Sequence, residues 1–255
     1  ELLDEGIIGT PWLVKLDWLM GGRADETREW NWYSDIKQGG GVLGALGTHA
    51  FDILHWLIGP SETVNASLST AIKERKEIKT SKPCKVTSDD VALIQVQLKD
   101  LVTNSIVPTQ LSLSAVTRNG RGFWIEIYGS KGTLLLGSEN QNDYVHGFSL
   151  WLSQEKEPLK IINPNEKHAF NKTWSDGRIA PVARLHEWWV ESINNSQPMI
   201  PGLSEGFASQ KACDKVIESN FSGQKLRKMC RFHRKLFKNF PATDFFFGKN
   251  VSISL

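Results

Sequence analysis

His49, Asp52 and His55 lie in one glycine-led apolar segment, residues 39–59, where a plain core helix has no need of them. An imidazole titrates near neutral pH, so His49 could take a hydroxyl proton while a hydride leaves the same carbon. A hydrogen-bonded core histidine accounts for the same residue equally simply. Asp52 could orient the imidazole or bond a neighbouring loop, and His55, further round the helix, reads as structural. Trp30, Asn31 and Trp32 form a second group, able to stack flat rings and polar atoms on a sugar-like ligand or simply to seal a sheet. Arg121, close to Arg118, Asn119 and Trp124 in a strand connection, carries the same ambiguity between substrate binding and ordinary turn chemistry.

The element that must position His49 is legible from periodicity. Apolar residues at 42, 43, 46, 50, 53, 54, 57 and 58 follow helical spacing, and Gly59-Pro60 ends the run. The spacing predicts one continuous helix over 42–58, with Ala45, His49 and Ile53 in a row and Asp52 and Trp56 beside it. Gly44 and Gly47 inside it each cost about 1 kcal/mol relative to Ala, which implies that a backbone, a sheet or a ligand approaches closely. Ahead of it, residues 20–38 are charged and aromatic without periodicity and read as a long functional loop.

The remainder predicts an α+β fold. Residues 12–18 form a first strand, and strands are expected over 63–72, 90–98, 110–117, 123–128, 133–136, 146–152 and 159–162, several with clean alternation. Short turn-like connections without intervening helices imply an open, mainly antiparallel sheet. The charged stretch 73–85 reads as a solvated link between two strands. Helices over 181–194, with a stripe of Leu185, Trp188, Trp189 and Ile193, and over 204–219 are expected to cover one face of the sheet.

Bulk numbers restrict the function classes. At 255 residues, with 40% hydrophobic and 23% charged, the composition is that of a folded globular chain. No apolar run approaches the roughly 20 residues of a spanning helix, and no membrane partner is expected. Three cysteines, Cys84, Cys213 and Cys230, make neither a disulfide framework nor a metal motif, so a cytoplasmic location and no metal site are expected. The net charge of +2 conceals a basic tail: residues 224–255 carry eight Lys/Arg against Asp244 alone, and the rest of the chain is mildly acidic. That balance gives no reason to expect nucleic acid. Residues 227–255 read as a basic, aromatic tail, disordered or non-native. There is no GxGxxG strand-turn-helix unit, so no dinucleotide-binding fold is readable, and no HExxH, GxSxG or P-loop motif occurs.

Taken jointly, these residues resemble a known signature. The run from Gly39 through Gly44, Gly47, His49 and Asp52, preceded by Trp32 and Asp35 and followed by Trp56 to Gly59, resembles the GGG-x-L-(D)-x-G-x-H-x-x-D pattern of the Gfo/Idh/MocA oxidoreductases. Residues 125–134 resemble that family's strand-turn-strand, and residues 5–9 the entry to its C-terminal domain, so the likeness covers roughly residues 1–226. It implies an open antiparallel sheet with helices on one face, a substrate-binding and oligomerisation domain over 1–226, and homo-oligomers formed through the other sheet face. It also implies an N-terminal Rossmann domain, absent from this chain, that holds most of NAD or NADP. By the same resemblance His49 is the catalytic histidine, Gly39, Gly40 and Gly41 lie toward the cofactor, and Trp30, Trp32, Ala45, Asp52 and Arg121 toward a sugar, cyclitol or polyol substrate. Two departures stand out. Ala45 occupies the place, four before the histidine, where many members carry an aspartate, and no counterpart of the family's catalytic lysine is present; Lys156 in Glu155-Lys156-Glu157-Pro158 only mimics its motif, in the wrong part of the chain. The expectation is a fragment of an NAD(P)-dependent dehydrogenase, inactive by itself. The alternative is a non-catalytic binding or assembly module of the same fold.

Overall fold

In the computed structural model the described residues are 1–138, 148–163 and 165–227. The chain enters through turns into β1 (Pro11–Leu19), crosses a long loop with two short 3-10 turns, and reaches a π-helical turn, Leu43–Gly47, that continues into α1 (Thr48–Leu57). There follow β2 (Ser61–Ser69), the hairpin of β3 (Glu74–Lys76) and β4 (Pro83–Lys85), then β5 (Val91–Lys99), β6 (Ile106–Ser114), β7 (Gly122–Gly129), β8 (Gly132–Gly137), β9 (Ser149–Gln154) and β10 (Lys160–Ile162). Two helices, α2 (Ile179–Asn194) and α3 (Leu203–Ser222), precede the short β11 (Leu226–Arg227).

Nine strands make one sheet in the order β10-β9-β8-β7-β1-β6-β5-β2-β11. Every neighbouring pair is antiparallel except β1 and β6, because the chain leaves β1 through the α1 crossover and builds β2, β5 and β6 before returning to its flank. The expected open, mainly antiparallel sheet is what forms, with β1 at its centre. Alternation decides its faces. Val14, Leu16 and Trp18 of β1 align with Ile127, Ile125 and Phe123 of β7 and are buried in the core with Phe51 and Leu54 of α1. Lys15 and Asp17 align with Glu126 and Trp124 on the opposite face.

The edge at β2 is closed by side chains as well as by a strand. β11 pairs only with Thr63 and Val64, and beyond it the amides of Ala66 and Leu68 donate to Ser219 Oγ and Asn220 Oδ1 of α3, at 3.2 and 2.8 Å. This leaves little free ladder for edge-to-edge pairing.

Three expectations change. The helix over 42–58 is two segments, the π turn Leu43–Gly47 and the regular helix α1; Ile53 is buried while Ala45, His49, Asp52 and Trp56 remain at or near the surface. The charged stretch 73–85 is a hairpin with a buried arginine rather than a solvated link. Finally, α3 covers the sheet beside α1, but α2 packs extensively on no strand and exposes Trp189, Val190 and Ile193 by more than half. Amphipathic spacing says that a face will be covered, not by which neighbour. The strand expected over 146–152 begins at Ser149, its first two positions lying outside the described residues, as does the tail beyond Arg227.

The junction of loop and helix rests on Asp89. Its backbone oxygen accepts Val42 N–H at 2.9 Å and its carboxylate accepts Leu43 N–H at 2.9 Å, although the side chain is buried. Gly41, at φ +98°, fits only because it has no Cβ, which would lie 2.5 Å from that carboxylate; likewise a Cβ on Gly44 would lie 2.1 Å from the Gly39 carbonyl oxygen. Asp89→Ala leaves a buried amide unpaired and is expected to cost about 1–3 kcal/mol in urea unfolding. Gly44→Ala forces the backbone apart and is expected to cost about 2 kcal/mol or more. Unchanged midpoints in both variants would contradict this account of the junction.

Candidate functional site

The site is the outer face of the π turn and α1. His49 is exposed, and its ring centroid lies 6.4 Å from that of Trp18, which rises from β1 beneath it. Trp18 is fully buried, edge-on to Phe123 at 5.2 Å, and its indole N–H finds no acceptor among the described residues. An unpaired buried donor costs about 1–3 kcal/mol, a tolerance found preferentially at functional positions. Ala45, four residues before His49, presents only a methyl group beside the imidazole.

Asp52 lies one turn beyond His49 and faces α3. Ser209 Oγ approaches its carboxylate at 3.5 Å, and Glu205, which caps α3 by accepting Gly202 N–H at 2.7 Å, stands one turn earlier on that helix. Burial, and then the Glu205 carboxylate, push Asp52 above the usual aspartate range against the opposing pull of His49 and Ser209. His55 is held elsewhere: it is buried, its Nε2 lies 2.8 Å from Ser61 Oγ, and burial drives its pKa down to about 4. It is a neutral structural histidine.

The loop before the helix supplies the wall of the site. Trp32 is half exposed and packs edge-on to Tyr33 at 5.7 Å. Arg23 stacks over the Tyr33 ring at 3.9 Å and donates to Asn31 Oδ1 at 3.3 Å, while the same oxygen accepts Tyr33 N–H. The Tyr33 carbonyl accepts Gly41 N–H at 2.9 Å, and the Gly41 carbonyl accepts Ala45 N–H at 3.0 Å. Aromatic loop and helix are thus joined by consecutive hydrogen bonds. Gly39 ends a 3-10 turn in the left-handed region. Gly40 is buried with its α-carbon against the carbonyls of Trp32 and Tyr33, so the triplet's close approaches are made to the chain itself.

Two residues from the sequence reading are not brought to His49. Trp30 turns toward the β3–β4 hairpin, its indole donating to the Lys85 carbonyl at 3.1 Å. Arg121 lies on the opposite face of the sheet, stacked over Trp124 at 3.9 Å and paired with Glu126 at 3.3 Å. Glu126 is buried there, yet Tyr128, Lys15 and Arg121 outweigh the cost of burial and hold it below the usual glutamate range. Conversely, Asp89, Trp18, Arg23 and Glu205 belong to the site or its frame without having been singled out. Only Asp89 left a signal, as one of paired acidic residues opening a strand.

The described residues contain no group of three or more His, Cys, Asp or Glu able to hold a metal. They also offer no phosphate cradle, since the backbone of Gly40 and Gly41 is occupied by the chain's own atoms. What the site does offer is an exposed imidazole over a buried tryptophan, with a half-exposed tryptophan on the loop bonded to the start of its helix.

The fold that carries this site is an open, mainly antiparallel sheet with helices on one face. A family profile described as "Oxidoreductase family, C-terminal alpha/beta domain" matches residues 1–227, and the chain belongs to this Gfo/Idh/MocA family. It is 45% identical over 215 residues to an uncharacterised oxidoreductase of Synechocystis sp., covering 84% of this chain and 57% of that protein. It is 27% identical over 201 residues to glucose-6-phosphate 3-dehydrogenase of Bacillus subtilis, covering 77% of this chain and 53% of the relative. The chain therefore spans little more than half the length of these relatives. Among solved structures, an NAD binding oxidoreductase from Klebsiella pneumoniae superimposes with a TM-score of 0.73 at 18% identity, over 91% of this chain and 62% of that one. A levoglucosan dehydrogenase in complex with NADH and L-sorbose superimposes with a TM-score of 0.71 at 19% identity, over 91% of this chain and 61% of that one. Both likenesses establish the fold.

The Asp52 environment sets a pH dependence. Its folded pKa is raised, so between the unfolded and folded values the native chain holds a proton that the unfolded chain has released, and stability falls as pH rises through that window. Asp52→Asn removes this loss. The stability of the variant relative to wild type is expected to grow as pH rises above the ordinary aspartate range in urea titrations, and a pH-independent difference would refute the assignment.

Proposed function

We propose that this chain is the substrate-binding part of an NAD(P)-dependent dehydrogenase acting on a sugar, cyclitol or related polyol, with His49 as its proton-transferring residue. The observation that carries the reading is His49 itself: exposed in the family's histidine position on α1, over the buried Trp18 and on a helix whose start is hydrogen-bonded to the aromatic loop. NAD or NADP, bound mainly by an adjoining Rossmann domain, supplies the hydride acceptor. His49 would take the proton of the substrate hydroxyl as the C–H bond breaks. Ala45 would leave room for the ring of substrate or nicotinamide, and Trp32 would stack on a pyranose face. Asp52, turned toward Ser209 and Glu205 of α3, would orient the helix face behind His49 rather than touch substrate.

The surface of the chain supports an adjoining domain. Trp189, Val190 and Ile193 of α2 and Leu203 and Phe207 of α3 are exposed apolar side chains of the two helices, which a folded partner domain would cover. The opposite sheet face, with exposed Leu13, Leu93 and Ile161 around the Glu126 network, is the expected homo-oligomer contact. Neither a metal nor nucleic acid enters this reading.

One observation favours a second reading, a binding or assembly module of the same fold: Ala45 lacks the carboxylate that the family resemblance places there. Kinetics separate the two. The complete gene product is expected to reduce NAD or NADP with a polyol substrate, and His49→Ala to lower kcat roughly a hundredfold or more with the urea midpoint unchanged. The 255-residue chain alone is expected to show no turnover. A complete gene product that binds polyols but never reduces the dinucleotide would establish the binding module instead.

A further inference from the structure

Arg75, in the middle of β3, is 2% exposed, yet its charge meets backbone carbonyls rather than a carboxylate. Nη2 donates to the Arg23 carbonyl at 2.6 Å, and Nη1 donates to those of Asp25 and Arg28 at 2.8 and 3.4 Å. Three carbonyls of one loop, some fifty residues away in sequence, thus converge on a single planar fork. A guanidinium presents donors in fixed directions, which suits this arrangement in a way that an ammonium does not.

The hairpin grips the same loop at a second point. Trp30 N–H donates to the Lys76 carbonyl at 2.7 Å, and its indole N–H donates to the Lys85 carbonyl at 3.1 Å, one bond to each strand of the hairpin. Arg118 secures the far side by donating to the Ala24 carbonyl at 2.7 Å. Between these anchors stands Arg23, whose guanidinium covers Tyr33, and Tyr33 is bonded through Gly41 to Ala45 and so to the helix of His49.

We infer that Arg75 is a positioning residue that sets substrate affinity: from the β3–β4 hairpin it fixes the loop at 23–30, and with it Arg23, Asn31 and Trp32, as a preformed wall beside His49. This deepens the dehydrogenase reading and rests on it for the identity of the ligand. Holding the wall before substrate arrives spares the ordering cost that a loose loop would impose on binding. The contacts made by Arg75 lie outside the reacting centre, so their loss should weaken binding while leaving the chemical step intact.

The test uses the complete gene product and the variants Arg75→Met and Arg75→Lys. Hydrogen exchange followed by peptide mass analysis should show about tenfold lower protection across residues 22–31 in both variants, with β1, β5 and β6 unchanged. KM for the polyol should rise about tenfold with kcat altered less than twofold, and lysine should fail to rescue because one ammonium cannot serve three fixed carbonyls. Unchanged loop protection would overturn the clamp. A loosened loop with unaltered KM, or a loss confined to kcat, would overturn its role in substrate affinity. Should the wild-type complete protein prove inactive, the dehydrogenase reading and the substrate role fall together, while the exchange arm still decides whether Arg75 holds the loop. Global loss of protection in Arg75→Met but not in Arg75→Lys would assign Arg75 to general stability and refute the inference.

Discussion

The docking of the glycine-led turn onto Asp89 is the constraint on which the rest of the structure depends. A buried carboxylate and its own backbone oxygen take the first two amides of the turn, fixing where the helix begins and in which phase. Desolvating that carboxylate is costly, and burial raises its pKa, so the amides that donate to it must be present and aligned. Only residues without side chains could bring the chain so near. Gly41 and Gly44 are therefore requirements of internal packing first, whatever they later offer to a ligand.

From that junction the π turn, Leu43–Gly47, leads into the regular helix α1, where Ile53 is buried at the margin of the core and His49, Asp52 and Trp56 lie at or near the surface. His49 and Ile53, four residues apart in that helix, share one flank of it, which passes from exposed at His49 to buried at Ile53. Beneath, the Trp18 indole supports the imidazole at some expense, its own donor unpaired.

The two sheet faces divide the labour. One carries the helices and the His49 site; the other carries a buried glutamate compensated by lysine, arginine and tyrosine. This separation explains why Arg121, near in sequence to plausible site residues, stands apart from His49: side chains alternate across a strand, so adjacency in sequence says nothing about a shared face. It also explains the exposed apolar stripe of α2, which belongs to neither layer of this chain.

How much of this was legible beforehand follows from the range of each interaction. Helical spacing between 42 and 58, alternation in β5 and β6, and the glycine–histidine–aspartate pattern were local signals, and they determined the elements, the open antiparallel sheet, the family and His49 as the residue to examine. Local rules could not disclose that β1 pairs in parallel with β6, because that register depends on a crossover of about ninety residues. Nor could they show a charged run folding back so that Arg75 reaches three carbonyls, or Asp89 reaching the start of a helix more than forty residues earlier. The sequence by itself determined most of the segments that form and the family to which the chain belongs. Tertiary structure alone decided the helix phase, the face on which each side chain stands and the partners of the buried charges, because those are set by contacts between distant segments and by the cost of leaving a buried polar group unpaired.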